Sequence, residues 1–140
     1  MMNKNRIRLG VNLDHIAFIK KSRDTIYPSL SEAVNISEKA GANLITIHLR
    51  EDRRHIQEED AYEIKKCAKT VNLEMANTSE MVKFAIDLQP HYVCIVPEKR
   101  EEKTTEGGLN LVSISLANQN FLKNNIKILK EKTIKVSLFI

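Results

Sequence analysis

The segment Leu44-Ile45-Thr46-Ile47-His48-Leu49-Arg50 decides the fold, because apolar and polar residues alternate along it. Side chains on a β-strand point alternately to opposite faces, so His48 and Arg50 share one face and Ile47 and Leu49 the other. The sequence continues as Glu51-Asp52-Arg53-Arg54-His55, so the eight residues 48–55 contain three arginines and two histidines. Such a cluster is costly to hold together without anions. We therefore expect a strand end that faces a phosphorylated substrate, with Glu51, Asp52 and Arg53 as structural supports.

The rest of the chain alternates between strand and helix patterns. Five apolar runs are typical of strands: residues 8–13, 44–49, 71–75, 91–96 and 134–140. Four helical patterns separate them: one from the capping box at Ser29-Leu30-Ser31-Glu32 to Gly41, one over 57–69, one from Asn77 to before Pro90, and one over 118–132. This alternation predicts right-handed βαβ units around a parallel sheet, with long loops over 14–28 and 97–117.

One face of the first three strands becomes polar toward their C-terminal ends, through Asn12 and Asp14, then His48 and Arg50, then Asn72 and Glu74. A doubly wound sheet is covered by helices on both faces, which should then both be apolar. The pattern favours a (β/α)8 TIM barrel, whose active site lies at the C-terminal face. A complete barrel has about 250 residues. We therefore expect residues 1–140 to be a single α/β domain, an incomplete barrel of about five strands and four helices.

Composition sets the broad class. The chain is 42% hydrophobic and 29% charged, as ordinary soluble globular proteins are. It has neither an apolar run of about 18 residues nor the apolar core of a signal peptide, so we expect a cytoplasmic protein without membrane association. Cys67 and Cys94 lack metal-site spacing and are expected to be buried thiols. Five of the seven arginines follow predicted strands, where they suit phosphate contact: Arg23, Arg50, Arg53, Arg54 and Arg100.

Six ordered motifs together resemble the pyridoxine 5'-phosphate synthase family of the deoxyxylulose-dependent vitamin B6 pathway, over nearly all of the chain. They are Gly10-Val11-Asn12-Leu13-Asp14-His15-Ile16-Ala17, His48-Leu49-Arg50-Glu51-Asp52-Arg53-Arg54-His55-Ile56, Asn72-Leu73-Glu74-Met75, Val96-Pro97-Glu98-Lys99-Arg100, Thr104-Thr105-Glu106-Gly107-Gly108-Leu109 and Val136-Ser137-Leu138-Phe139-Ile140.

The resemblance implies an oligomeric (β/α)8 enzyme without metal or organic cofactor. It would condense 3-amino-2-oxopropyl phosphate with 1-deoxy-D-xylulose 5-phosphate to give pyridoxine 5'-phosphate, phosphate and water. Asn12 and Arg23 would hold the amino-ketone phosphate, and His48 and Glu74 would be the acid/base pair. The deoxyxylulose phosphate would contact Asp14, His15, Arg50, His55 and Thr104.

The sequence departs from the family in two respects. The family often has Gly where this chain has Asp24, and a carboxylate there would weaken phosphate capture slightly. The family's third catalytic residue, a histidine that serves as general acid, lies beyond Ile140, as do glycine-rich phosphate loops. This chain therefore resembles the first five-eighths of the enzyme.

Other interpretations remain open. In one interpretation, the chain is a truncated, inactive remnant of the enzyme. In another, the isoelectric point of about 9.1 reflects nucleic-acid binding, although the basic residues form no stripe and aromatics are few. In a third, His48, His55 and Glu74 form a metal-hydrolase site, although no HxH pair is present. We expect His91, at the N-terminal end of its strand, to be structural, and Gly107-Gly108 alone is weak evidence for a phosphate site.

Overall fold

A computed structural model describes residues 7–98 and 107–140. Within these residues the chain forms five strands and five helices in a regular alternation. The strands are β1 (Gly10–Asn12), β2 (Leu44–His48), β3 (Val71–Met75), β4 (Tyr92–Ile95) and β5 (Lys135–Leu138). The helices are α1 (Asp14–Ser22), α2 (Leu30–Lys39), α3 (Glu58–Cys67), α4 (Ser79–Leu88) and α5 (Leu116–Glu131).

The five strands form one parallel sheet in the order β1-β2-β3-β4-β5. A doubly wound sheet reverses its strand order at a switch point, and this sheet does not. Right-handed crossovers in a single direction place the helices on one face of the sheet, as in a TIM barrel. The predicted fold class, an incomplete (β/α)8 barrel, is confirmed.

The two faces of the sheet differ in the way that the sequence predicts. One face carries apolar side chains that pack against the helices and are fully buried: Ile45, Ile47, Leu73, Val93 and Ile95. The strand register aligns polar residues on the other face, with Thr46 beside Asn72, His48 beside Glu74, and Glu74 beside Cys94. The polar face is the one that lines the lumen in a closed barrel.

Helix α1 was not predicted, because residues 14–28 were interpreted as a long loop. Ala17 is 1% exposed, and Asp14 and the pair Lys20 and Lys21 lie at the helix ends where their charges favour the helix dipole. Lys20 Nζ also lies 2.9 Å from Asp60 Oδ1 on α3. Tertiary contacts of this kind stabilise a short helix.

Local signals set the other helix ends. Ser29 Oγ accepts a hydrogen bond from the Glu32 amide, as its capping box predicts. The prediction of Asn77 as the first residue of a helix was wrong: Thr78 caps α4 by accepting from the Met81 amide. Asn77 instead accepts a hydrogen bond from the Asn125 side chain, which α5 presents to it.

The predicted burial of the two cysteines was only partly right. Cys67 and Cys94 are free thiols of intermediate exposure. Burial raises the pKa of both thiols above the ordinary value, which disfavours the reactive thiolate. His91 is structural at the start of β4, because its Nδ1 accepts a hydrogen bond from the Val71 amide at 3.2 Å. No helix of the described part of the chain is long and apolar enough to cross a membrane.

Candidate active site

Three ionisable side chains meet where β1, β2 and β3 end. His48 is the last residue of β2 and is the register partner of Glu74 on β3, so the two share the polar face. Asp14 begins α1 directly after β1. The potential ligand atoms of Asp14, His48 and Glu74 all lie within 4.8 Å of one another. Parallel strands bring their carboxyl ends to one edge, which is why residues far apart in sequence converge here.

Hydrogen bonds to Asn12 and His48 hold Asp14 in place. Asn12 Oδ1 accepts from the Asp14 amide at 2.8 Å, and Asn12 Nδ2 donates to Asp14 Oδ2 at 2.9 Å. Asp14 Oδ1 accepts from the backbone amide of His48 at 2.7 Å. Asn12 and Asp14, which are both predicted to bind substrate, thus also connect the end of β1 to the end of β2.

Glu98 is a member of this site that residue-by-residue sequence reasoning did not single out. It follows β4, and its Oε1 lies 2.8 Å from His48 Nε2. Its other oxygen accepts from the Glu51 amide at 3.1 Å. The available signal was a carboxylate just after a strand, within the motif Val96-Pro97-Glu98-Lys99-Arg100.

The environments of the two glutamates push their pKa values in opposite directions. Burial raises the pKa of Glu74, the nearby Asp14 carboxylate adds to this, and His48 opposes it. Burial would also raise the pKa of Glu98, but hydrogen bonds from His48 and from the Glu51 amide lower it below the ordinary value. Carboxylates with divergent pKa values serve different roles in acid/base chemistry.

A basic rim lies beside these carboxylates. The rings of His15 and His55 lie 6.1 Å apart, and Phe18 packs edge-on against His55 with 5.4 Å between ring centroids. Arg50 is 3% exposed. Burial lowers the pKa of His55; Asp14 opposes this, and His15, Arg54 and Arg50 lower it further. The positive charge beside the two histidines comes from the guanidinium groups of Arg50 and Arg54, the kind of group that binds phosphate.

Asp52 orders the arginines of this rim. Its Oδ1 accepts from Arg50 Nε at 3.3 Å, and its Oδ2 accepts from Arg54 Nε at 2.9 Å. Burial alone would raise the Asp52 pKa, but the hydrogen bonds from Arg54 and Arg50 lower it to about 2. Asp52 is therefore a support for the arginines.

Arg53 is also a support. Its guanidinium donates to the carbonyl oxygens of Arg50 and Glu51 and pairs with Glu58 and Glu80. This network fastens the loop after β2 to the first turns of α3 and α4.

One predicted substrate residue that the structure describes, Arg23, does not join the cluster. Arg23 lies at the other end of α1 from Asp14, where it lines a separate cleft with Ile19, Thr25, Tyr27 and Pro28. Nine helical residues span about 14 Å. Thr104 and Arg100 lie outside the described residues.

The cluster is poorly suited to a metal ion. The metal-hydrolase interpretation named His48, His55 and Glu74, but among the described residues the close group contains Asp14 in place of His55. Both oxygens of Asp14 already accept hydrogen bonds from protein donors, and His48 Nε2 is bonded to Glu98. A metal would have to displace these partners.

The model of the family described as "Pyridoxal phosphate biosynthesis protein PdxJ" matches residues 9–140. The chain belongs to this family. The resemblance found in the six motifs is thereby confirmed, since the match extends over nearly the whole chain.

Individual relatives agree with the family match. A protein named pyridoxine 5'-phosphate synthase from Pseudoalteromonas translucida is 52% identical over 96% of this chain and 54% of its own length. Proteins of the same name from Hydrogenobaculum sp. and Neisseria meningitidis are 50% and 53% identical, over 96% and 94% of this chain and 55% and 53% of theirs. The chain thus spans about half the length of the curated relatives it matches.

Proposed function

We propose that this chain supplies the N-terminal part of the active site of a pyridoxine 5'-phosphate synthase. The enzyme would condense 3-amino-2-oxopropyl phosphate with 1-deoxy-D-xylulose 5-phosphate and close the pyridine ring. In this proposal residues 1–140 are one domain, the first portion of a TIM barrel. An inactive remnant of the same enzyme is the alternative.

The observation that carries the proposal is the pairing of His48 with Glu74 at adjacent strand ends, next to a basic rim. The reaction needs an amine to add to a ketone, water to leave and a carbon–carbon bond to close. Each step moves a proton, so groups that exchange protons near neutral pH are required. Imidazole ordinarily exchanges protons near neutral pH, and burial raises the pKa of Glu74 toward neutral pH.

Each predicted residue has a task in this chemistry. Glu74 and His48 exchange protons with the condensing carbons and nitrogen, as the acid/base pair. Asn12 and Arg23 would hold the amino-ketone phosphate, which requires the end of α1 to bring Arg23 toward the cluster when the substrate binds. The deoxyxylulose phosphate contacts a second set: Asp14, His15, Arg50, His55 and Thr104. The proximity of His15 to His55 supports this second assignment.

The partners would be small phosphorylated substrates and further copies of the same chain. We expect the protein to act in the cytoplasm, without nucleic acid, membrane or cofactor. A salt-dependent gel shift with duplex and single-stranded DNA tests the nucleic-acid alternative. Metal analysis after purification tests the hydrolase alternative.

The test of the function uses the chain joined to the second half of the Pseudoalteromonas relative, with both substrates supplied. Glu74→Gln keeps the side-chain shape but removes acid/base capacity, so we expect turnover to be lost while substrate binding is nearly intact. Arg50→Ala should mainly weaken binding. Glu131→Gln on the exposed end of α5 is the matched control and should behave like the parent.

Retention of more than about a tenth of the parent rate by Glu74→Gln would rule out its proton-transfer role. Absence of product from the parent fusion, when the relative itself is active under the same conditions, would favour the inactive-remnant interpretation.

A further inference from the structure

Glu98 is a buried carboxylate that the chemistry described above does not use. Its side chain is 6% exposed and that of His48 is 7% exposed. Both of its oxygens are engaged, one 2.8 Å from His48 Nε2 and the other 3.1 Å from the Glu51 amide nitrogen. A carboxylate placed so far from water is costly unless it has partners of this kind.

We propose that Glu98 positions His48 by holding the proton on Nε2, so that Nδ1 is the nitrogen that exchanges a proton with the substrate. The effect of this positioning on catalysis rests on the proposed function. The hydrogen bond itself and the choice of tautomer do not.

The direction of the hydrogen bond follows from the charge on Glu98. The Glu51 amide can only donate, so the Glu98 oxygen 3.1 Å from it is an acceptor. This hydrogen bond helps to hold the pKa of Glu98 below its ordinary value despite burial, so Glu98 is ionised at neutral pH. An ionised carboxylate only accepts hydrogen bonds. The His48 ring must therefore donate through Nε2–H, which leaves the lone pair of the neutral imidazole on Nδ1.

A second anchor acts on the backbone of the same residue. Asp14 Oδ1 accepts from the His48 amide at 2.7 Å, while Glu98 fixes the far side of the ring. The Asp14 hydrogen bond fixes the backbone of His48, and the Glu98 hydrogen bond fixes the orientation of its ring. Together the two carboxylates hold His48 next to Glu74, its register partner on β3.

Glu98 also connects strands that are not neighbours. It follows β4, whereas His48 and Glu51 lie at and after the end of β2, so its two hydrogen bonds pass over the end of β3. Glu74 lies on the strand between them. The hydrogen bonds of Glu98 thus join the loop after β4 to the end of β2, on either side of the strand that carries Glu74.

The first test is a spectroscopic one on the chain joined to the second half of the Pseudoalteromonas relative and labelled with ¹⁵N. Long-range ¹H–¹⁵N correlation spectra assign the proton of each histidine ring to Nδ1 or Nε2. For His48 we expect the Nε2–H tautomer and a downfield ring N–H resonance that exchanges slowly with water. Glu98→Gln should abolish that resonance, because the amide accepts more weakly and also donates.

Two variants make the result specific. Glu98→Asp keeps the charge but shortens the side chain, and should retain a weakened form of the resonance. Glu131→Gln removes an exposed carboxylate on α5 and should leave the resonance unchanged. Backbone amide spectra show that each variant keeps the fold. A proton on Nδ1 of His48 in the parent, or an unchanged resonance in a folded Glu98→Gln chain, would overturn the proposal.

The second test measures turnover in the completed enzyme. Loss of the residue that orients a metal-bound histidine typically costs about 10- to 100-fold in activity, and we expect a comparable cost for a catalytic imidazole. We expect Glu98→Gln to lower kcat by about that factor with little change in KM, because no substrate contact is removed. An unaltered kcat would show that the hydrogen bond has no catalytic role. Lack of activity in the parent would refute the proposed function alone, since the tautomer is read from the spectrum.

Discussion

Asp24 shows, at the scale of single residues, how the expected departure from the family pattern bears on the backbone. Its φ angle of 47° lies in the left-handed region, which glycine occupies without strain. Asp tolerates this conformation better than most residues, but the cost relative to glycine is not zero. The departure from the family is therefore a matter of backbone conformation as well as charge.

We predict that Asp24→Gly stabilises the chain, by up to about 1 kcal/mol, since relief of the strained backbone exceeds the extra freedom of glycine in the unfolded state. Asp24→Ala is the control, because it also removes the carboxylate but gains no access to positive φ. Urea denaturation compares the free energies of unfolding. Equal stabilisation by both variants would mean that charge, and not backbone conformation, is responsible.

Asp14 and Asn12 illustrate how one residue can serve structure and site together. The motif that predicts substrate contact also forms the hydrogen bonds that fix the end of β1 against β2. A substitution at Asp14 would therefore release His48 as well as remove the proposed contact to substrate. Loss of activity at this position cannot by itself be assigned to substrate binding.

At the scale of elements, the junction between β3 and β4 depends on a neutral histidine. His91 Nδ1 accepts from the Val71 amide, and an imidazolium has no acceptor at that nitrogen. Burial lowers the His91 pKa below 6.5, and the charges of Lys65 and Lys135 lower it further. The unfolded chain therefore binds this proton more readily than the folded chain does.

We predict that stability is fully present above pH 6.5, the unfolded value of His91, and falls as the pH decreases through the lower folded value. His91→Asn keeps a side-chain acceptor but does not titrate, so its stability should depend less on pH in this window. His55, whose pKa is also lowered, and Glu74, whose pKa is raised, still titrate in the variant and contribute to the remaining slope with opposite signs. Melting temperatures between pH 5 and pH 8 measure the difference, and parallel curves for parent and variant would contradict the role of His91.

At the scale of the whole molecule, the described sheet has two edges. β1 pairs only with β2, and β5 only with β4, among the residues that the structure describes. Large apolar side chains are also exposed, including Ile26 at 90%, Val112 at 98% and Ile140 at 84%. Unpaired edges and exposed apolar groups favour association between chains.

We predict that the 140-residue chain alone self-associates or is marginally stable, and does not form pyridoxine 5'-phosphate at a useful rate. Light scattering gives its mass in solution, thermal melting its cooperativity, and product analysis its activity. The fusion with the second half of a relative is the comparison, since it would supply partners for both edges. A monomeric chain that melts cooperatively and turns over both substrates would contradict this prediction.

The sequence by itself determined the features that depend on local periodicity. Alternation along residues 44–50 and 71–75 predicted which face of each strand is polar, and the register of His48 with Glu74 agrees with it. Ser29 and Glu32 marked the start of α2. The six motifs identified the family without any structural information, because ordered motifs carry far more information than composition.

Only the tertiary structure decided which distant residues meet. The hydrogen bonds from the His48 amide to Asp14 and from the His48 ring to Glu98 join residues 34 and 50 positions apart. No periodic pattern encodes such contacts, since they depend on strand register and on the path of two loops. Helix α1 was not predicted for the same reason, since contacts such as that of Lys20 with Asp60 stabilise it. The left-handed backbone of Asp24 was not predicted either, because the turn after α1 imposes it.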